Sequence, residues 1–460
     1  MQMHIRLSPS PSPFPFPFPS LRSPSPFLSL RFIYVSESLL QRTSLPSLSA
    51  GAQIFRNLHL RLWRAAAPPP QMVGEGKEQQ QPEREVVLTK PLSLDIGESE
   101  GDYKAPNLLR RVLSLFKNLR PGSDLTHFQL PPVFNFPKSQ LQCFGESLYC
   151  VNKDLLSGCN QEKNPLNRFL CVVGWSICTS TRPVIFGLAP YNPVLGETHH
   201  VSRGSLNVLL EQVSHHPPVS ALYATDEKEN VETIWCQNPV PKFQGASVET
   251  VVHGKRQLKL VSKGETYVMN SPNLFIRFLP IPGVDWVGNV KIHCKETGLE
   301  ADLCYKTDSF LGLRGKPRYI KGKIYDFSTS KILYEIEGQW DRTVTAKDVN
   351  NGKCTVIYNA KEIISGLKTP TTKDSQEVWP SESAVVWSEV SQGILSKDWE
   401  KAREAKKTVE EKQRELLRER ASRGETWVPK HFTVTYTKEG GWDCSPIQNS
   451  VPPAPISVPL

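Results

Sequence analysis

Residues 205–225 read SLNVLLEQV, SHHPP, VSALYAT: an apolar run, a polar corner and a second apolar run. Both flanks have the length and branched apolar content of strands. In the corner, Glu211-Gln212-Val213-Ser214-His215-His216-Pro217-Pro218, the two prolines fix φ twice and offer no backbone donor, so they hold the preceding dipeptide extended at a strand end. Adjacent histidines on a strand point to opposite sides, but in a constrained corner both rings can turn toward one ligand. Imidazoles that titrate near neutrality suit an anion such as a phosphate monoester, whose charge favours their protonated form. A solvated turn, or half of a zinc site, would use the same residues, and the corner alone does not choose among the three.

Outward from the corner the period of two continues. Segments 184–188, 198–202, 205–213, 219–225, 231–236, 248–252, 257–261 and 266–269 read as short strands between Gly, Pro, Asn, Asp and Lys turns, followed by 274–278, 287–294, 299–305, 319–327, 332–340 and 354–358. Ile332, Tyr334, Ile336 and Trp340 alternate with Lys331, Glu335, Glu337 and Gln339, as on a strand with one wet face; Leu333 breaks the pattern. So many sequential strands predict a mainly β (α+β) fold, an antiparallel meander that curls into a large, near-closed barrel and so hides its edges. More than about ten strands leave room for an interior cavity.

Helical periods flank the barrel. Leu108, Leu109, Val112, Leu115, Phe116 and Leu119 share one face of a short helix after the candidate N-cap Asn107, and Pro121-Gly122 stops it. Its other face carries Arg110, Arg111, Lys117 and Arg120, which suits either an anionic membrane surface or ordinary packing on a core. Residues 164–181 repeat the helical spacing. Residues 396–420 are charged and free of Gly and Pro, and Lys406, Glu410 and Arg414 recur every four residues on one stripe, the spacing of a solvated ion-paired face.

Composition narrows the classes. Of the formal net charge of +9, residues 1–71 carry +6 (seven Arg, one acid, Glu37), leaving a nearly neutral body that gives no footing for nucleic acid. Those 71 residues are rich in Ser, Pro, Phe and Arg. They read as a disordered extension, with either a transit-peptide-like leader or a segment ahead of a start near Met72 as its meaning. A polar linker is expected to about residue 106, and a loose tail over 448–460. Ten cysteines without a Cys-x-x-Cys spacing fit reduced thiols of a cytosolic protein, and no run of about 18 apolar residues predicts a membrane span.

The Glu211–Pro218 stretch resembles the signature of the oxysterol-binding protein (OSBP)-related family. Pro190-Tyr191-Asn192-Pro193-Val194-Leu195-Gly196-Glu197 is similar to that family's Lys-Pro-Phe-Asn-Pro-Leu-Leu-Gly-Glu segment, and the Lys406, Glu410, Arg414 stripe matches its C-terminal helix. The resemblance covers 107–447 and implies a lipid-binding domain alone: a lid over about 107–137, a barrel over about 184–360 and a helical part over about 379–424. It implies no catalytic residue, metal or cofactor. Carried over residue by residue, His215, His216 and Arg414 would bind the phosphate of phosphatidylinositol 4-phosphate, assisted by Lys406, Glu410 and Asn192. Leu108, Leu109, Val112, Leu115 and Phe116 would form the lid. One departure is Ala189, where the family has lysine.

The function implied is a cytosolic, peripherally membrane-associated carrier, at endoplasmic reticulum or Golgi contacts, that exchanges a sterol or other lipid for phosphatidylinositol 4-phosphate. A sensor acting through partners, without net transport, fits the same site. A metal-dependent hydrolase would need His215, His216 and Glu211, with His199 and His200 nearby, and lacks a further ligand or a nucleophile motif. An endoplasmic-reticulum adaptor is a candidate partner, although the acidic stretch 95–102 lacks the phenylalanine pair of a docking motif.

Overall fold

The computed structural model describes residues 85–92, 106–151, 153–306, 318–363 and 368–460. Expectations for residues 1–84, including the disordered extension, and for the acidic stretch 95–102 lie outside the described residues. In chain order come α1 (Leu108–Phe116), β1 (Asn135–Ser139), α2 (Gln140–Tyr149), α3 (Lys153–Gln161), α4 (Pro165–Ser180) and β2 (Ala189–Tyr191). The main sheet follows: β3 (Thr198–Arg203), β4 (Leu206–His215), β5 (Pro218–Asp226), β6 (Val231–Phe243), β7 (Ser247–Leu260), β8 (Glu265–Met269), β9 (Asn273–Arg277) and β10 (Gly283–Cys294). It continues through β11 (Leu299–Lys306), β12 (Tyr319–Asp326), β13 (Ile332–Gln339), β14 (Thr343–Asp348), β15 (Cys354–Asn359) and β16 (Thr371–Thr372). Helices α5 (Ser388–Leu395) and α6 (Trp399–Arg423), the hairpin β17 (Phe432–Thr437) and β18 (Gly441–Pro446), and β19 (Ile456–Ser457) complete the chain.

Among the described residues 15 strands form one sheet, with near-sequential neighbours from β15 back to β3 and then β19 and β16. All its pairings are antiparallel except β19 with β3. The sheet curls around α4, because that one helix meets strands far apart in the order. Arg256 of β7 donates to Thr179 (3.0 Å) and Ser180 (2.6 Å), Arg168 pairs with Glu265 of β8, and Gly174 lies so close to β15 that a Cβ there would collide with the Ile357 carbonyl. The buried α4 residues Phe169, Val172, Val173, Trp175 and Ile177 join apolar side chains from strands β3 to β15 in the main core. Helix α4 therefore packs against strands along much of the sheet.

Several expectations change. Strands 248–252 and 257–261 are one strand, β7. Residues 184–188 form a turn closed by Leu188 N to Ile185 O (3.2 Å) with both residues buried, and the strand comes later, at β2. The tail is not loose: Ile456 pairs with Val201 of β3, and Val451, Ile456 and Val458 are buried, because their apolar side chains cover the sheet edge. The linker ends early. Thr89, Pro91 and Leu92 are buried, Val86 and Leu88 pack on the main core, and Val87 N donates to Ala384 O (3.0 Å). Asn107 does not cap α1 with its side chain; it adopts φ 58°, and its carbonyl accepts from Arg111 N (3.1 Å). Asn164 does cap α4, its side chain accepting from Leu166 N (2.9 Å) and Asn167 N (3.1 Å).

Candidate functional site

The histidine corner is held against the 190–197 segment by backbone. Gly196 N donates to Gln212 O and Gln212 N to Glu197 O, each at 2.9 Å, so the two sequence motifs lie side by side. Their carboxylates are anchors. Buried Glu197 accepts from Ser139, Ser383 (2.7 Å), Trp387 Nε1 (2.8 Å) and Val194 N (3.0 Å), while burial pushes its pKa up against those bonds. Buried Glu211 accepts the backbone N–H groups of Lys430 (2.8 Å) and His431 (2.9 Å), tying the corner to the chain entering β17. Each of its carboxylate oxygens is thereby engaged by a backbone donor.

At the end of β4, His215 Nδ1 lies 2.9 Å from the Pro193 carbonyl. A carbonyl only accepts, so Nδ1 carries the proton and Nε2 remains the basic site. Burial, and then the neighbouring His216, push His215 down to about 4. His216 is also lowered, by desolvation and then by His127. The rings of His215 and His216 have centroids 4.5 Å apart, and the His127 ring lies 4.6 Å from that of His216. Nothing in the spacing of the sequence placed His127 there, 89 positions upstream of His216.

Helix α6 starts at Asp398, whose side chain accepts from Lys401 N (3.0 Å), and ends at Gly424 with φ 67°, a left-handed cap that suits glycine. Its stripe is not a plain solvated face. Lys406 is buried; its Nζ donates to the Leu130 carbonyl (2.5 Å) and to Asn135 Oδ1 (2.9 Å) and stands 4.0 Å from Glu410. Burial pushes its ammonium down to about 8, partly offset by Glu410. Asn135 Nδ2 in turn donates to the carbonyls of Ala189 (3.0 Å) and Pro190 (3.1 Å), so this asparagine links α6 to the 190–197 segment. Arg414, partly exposed, reaches Glu410 at 3.3 Å.

These groups border a cavity of about 570 Å³. Asn192, His215, His216, Lys406, Glu410 and Arg414 all line it, and so do Ala189 and the unforeseen His127, Asn135 and Gln413. Its apolar wall includes Val112, Leu115, Phe116, Leu125, Phe128 and Phe134 from the N-terminal cover, and Val248, Leu274 and Ile276 from β7 and β9. Phe116 locks the cover down, with ring centroids 5.7, 5.4 and 5.1 Å from Phe128, Phe243 and Phe278. Two expected lid residues are placed otherwise. Leu108 is buried against Gly187 instead of facing the cavity, and Leu109 is exposed, because the buried side of α1 runs through Leu108, Val112 and Leu115.

The two further histidines of the metal-centre alternative have other partners. His199 Nδ1 is 2.6 Å from Glu382 and its Nε2 is 3.1 Å from the Tyr149 hydroxyl, while His200 Nε2 meets the Pro452 carbonyl at 2.8 Å. Among the described residues, no group of three His, Cys, Asp or Glu is placed to hold a metal ion, and no helix is long and apolar enough to cross a membrane.

A curled, mostly antiparallel sheet with a cavity lined by apolar, imidazole and cationic side chains suits a protein that binds an amphipathic ligand such as a lipid. The family model described as oxysterol-binding protein matches residues 112–392, and the chain belongs to that family. It is 56% identical to oxysterol-binding protein-related protein 4B of Arabidopsis thaliana, over 82% of this chain and 98% of that one. It is 54% identical to protein 4A of the same plant, over 83% and 99%. Its fold matches the Osh1 ORD domain in complex with ergosterol (TM-score 0.60, 24% identity, 73% of this chain and 86% of that one). It also matches the Osh3 ORD from Saccharomyces cerevisiae in complex with PI(4)P (TM-score 0.56, 20% identity, 80% and 94%).

Proposed function

We propose that this chain is a peripheral lipid-transfer protein of the cytosol that carries a sterol or a phosphatidylinositol 4-phosphate, one at a time, and exchanges them between membranes. The observation that carries this reading is a single space with two chemistries. Aromatic and aliphatic side chains line it together with His215, His216, Lys406 and Arg414. One shared cavity of about 570 Å³ would make the two ligands compete for the same space. Two members of the fold class have been solved with these ligand types, ergosterol in one and PI(4)P in the other.

The headgroup chemistry follows from the side chains. A phosphate monoester beside His215 Nε2 and His216 Nε2 would draw protons onto imidazoles that are neutral in the free site. Arg414 can turn from Glu410 to a bidentate grip on the phosphate. Lys406 adds positive charge at close range while it holds the cover at Leu130. Exchange along a phosphoinositide gradient would then give direction without any bond being made or broken. Transfer of labelled phosphatidylinositol 4-phosphate and of a fluorescent sterol between liposomes, followed in both directions, tests the reading. Countercurrent movement of both supports it. Tight binding of either without transfer would replace it with the sensor reading.

A further inference from the structure

His127 belongs to neither motif, yet it completes a row of three imidazoles at the cavity, with ring centroids 4.6 Å (His127 to His216) and 4.5 Å (His216 to His215) apart. It sits on the segment 117–131, which is bonded along β6: Gly122 N to Phe243 O (2.6 Å), Leu125 N to Pro241 O (2.9 Å) and Phe243 N to Ser123 O (2.9 Å). The neighbours of His127 in that segment, Leu125 and Phe128, lie in the apolar cluster under the cover. One short stretch therefore supplies both part of the apolar roof and a polar ring beside the histidine corner.

His216 touches the other two imidazoles, and like groups packed this way are poor partners for one another's charge. Protonating two of them sets like charges side by side, which costs energy until an anion joins them. The charged and titratable groups around the row are Asp124 and Lys242 beside His127, His215 and His216 on the corner, and Lys406, Glu410 and Arg414 from α6. Asp124 and His127 lie close enough to interact, and His127 is exposed where His215 is half-buried.

Resting on the phosphoinositide reading, we propose that His127 is a third ligand of the headgroup phosphate, carried by the cover. A bound phosphoinositide then fastens the cover through its phosphate, whereas a sterol, which has none, holds it only through apolar contact. His127 would thus bias the cavity toward the phosphorylated lipid and couple headgroup occupancy to closure.

The test uses the full chain and its His127→Asn variant, which keeps a polar side chain of turn-compatible type. Binding is measured to vesicles containing phosphatidylinositol 4-phosphate and, separately, to a fluorescent sterol, with hydrogen exchange read at Gly122 and Leu125. The variant is expected to lower the ratio of phosphoinositide to sterol affinity about 5- to 10-fold, the loss of one partly screened charge-assisted hydrogen bond. Phosphoinositide loading should protect Gly122 and Leu125 in the natural chain and protect them less in the variant. An unchanged ratio with unchanged protection, in a natural chain that binds the phosphoinositide, overturns the role of His127 alone. Failure of the natural chain to bind the phosphoinositide overturns the functional reading as well. Inorganic phosphate competing as well as the lipid would mark a general anion site and would also overturn the proposal.

Discussion

Replacing Phe116 by alanine should open the cover without unfolding the sheet. Phe116 makes three ring contacts, to Phe128 in the cover and to Phe243 and Phe278 on the strand side, at 5.1–5.7 Å. Aromatic pairs of this kind are worth about 0.5–1.5 kcal/mol each beyond burial, and truncating a fully buried Phe costs about 3–5 kcal/mol. Phe116 is half-buried, so about 2–3 kcal/mol is a fair loss for cover closure. The cover cluster is separate from the main core around α4, so the loss falls on local opening. Amide exchange at Gly122 and Leu125, whose acceptors are the Phe243 and Pro241 carbonyls, should speed up roughly 30- to 150-fold. Native-state hydrogen exchange reads this directly, and thermal unfolding should move little. A large fall in the unfolding midpoint with unchanged exchange at these two amides would refute it, because Phe116 would then belong to the global core.

Ala189 lines the cavity, so Ala189→Lys should restore a cation to the headgroup region and tighten phosphoinositide binding to vesicles about 10-fold; unchanged affinity would place the phosphate elsewhere. Lys406 has its pKa depressed from 10.5 to about 8, so the folded chain releases this proton before the unfolded chain does. Its contribution therefore makes stability rise with pH between about 8 and 10.5, by roughly 3 kcal/mol in all, and Lys406→Met should flatten that rise in denaturant titrations. His215, lowered from 6.5 to about 4, works in the acid range. Between those values the unfolded chain binds the extra proton, so stability falls as pH drops from 6.5 toward 4, and His215→Asn should lessen the fall by roughly 2–3 kcal/mol.

The strands were readable where one face is wet and the other buried. Ile336 is buried between exposed Glu335 and Glu337 on β13, as the alternation predicts. Strand β14 was missed because its inward residues are only Val344 and Ala346 among Thr, Lys and Asp. The region 135–149 was missed although Ser139 and Gln142 form a capping box there, with Ser139 N donating to Gln142 Oε1 at 2.8 Å, a signal present in the sequence. Ile456 and Val458, two apart, likewise marked the tail as a strand. The site divided along a different line. His215, His216, Asn192 and the α6 stripe carried the family resemblance and do line one cavity. Lys406 looked like surface charge because helical spacing says nothing about the Leu130 carbonyl that buries it. His127 joins the corner only through tertiary packing, as does Asn135, and no local pattern announces either.

The central claim is that the histidine corner is the headgroup end of a lipid cavity. Comparing the chain from residue 72 onward with its His215→Ala/His216→Ala variant, in liposome transfer of labelled phosphatidylinositol 4-phosphate and of a fluorescent sterol, tests it most directly. The account predicts that the natural sequence moves both lipids and that the variant loses phosphoinositide transfer far more than sterol transfer. Equal loss of both, or phosphoinositide transfer undiminished in the variant, would contradict it.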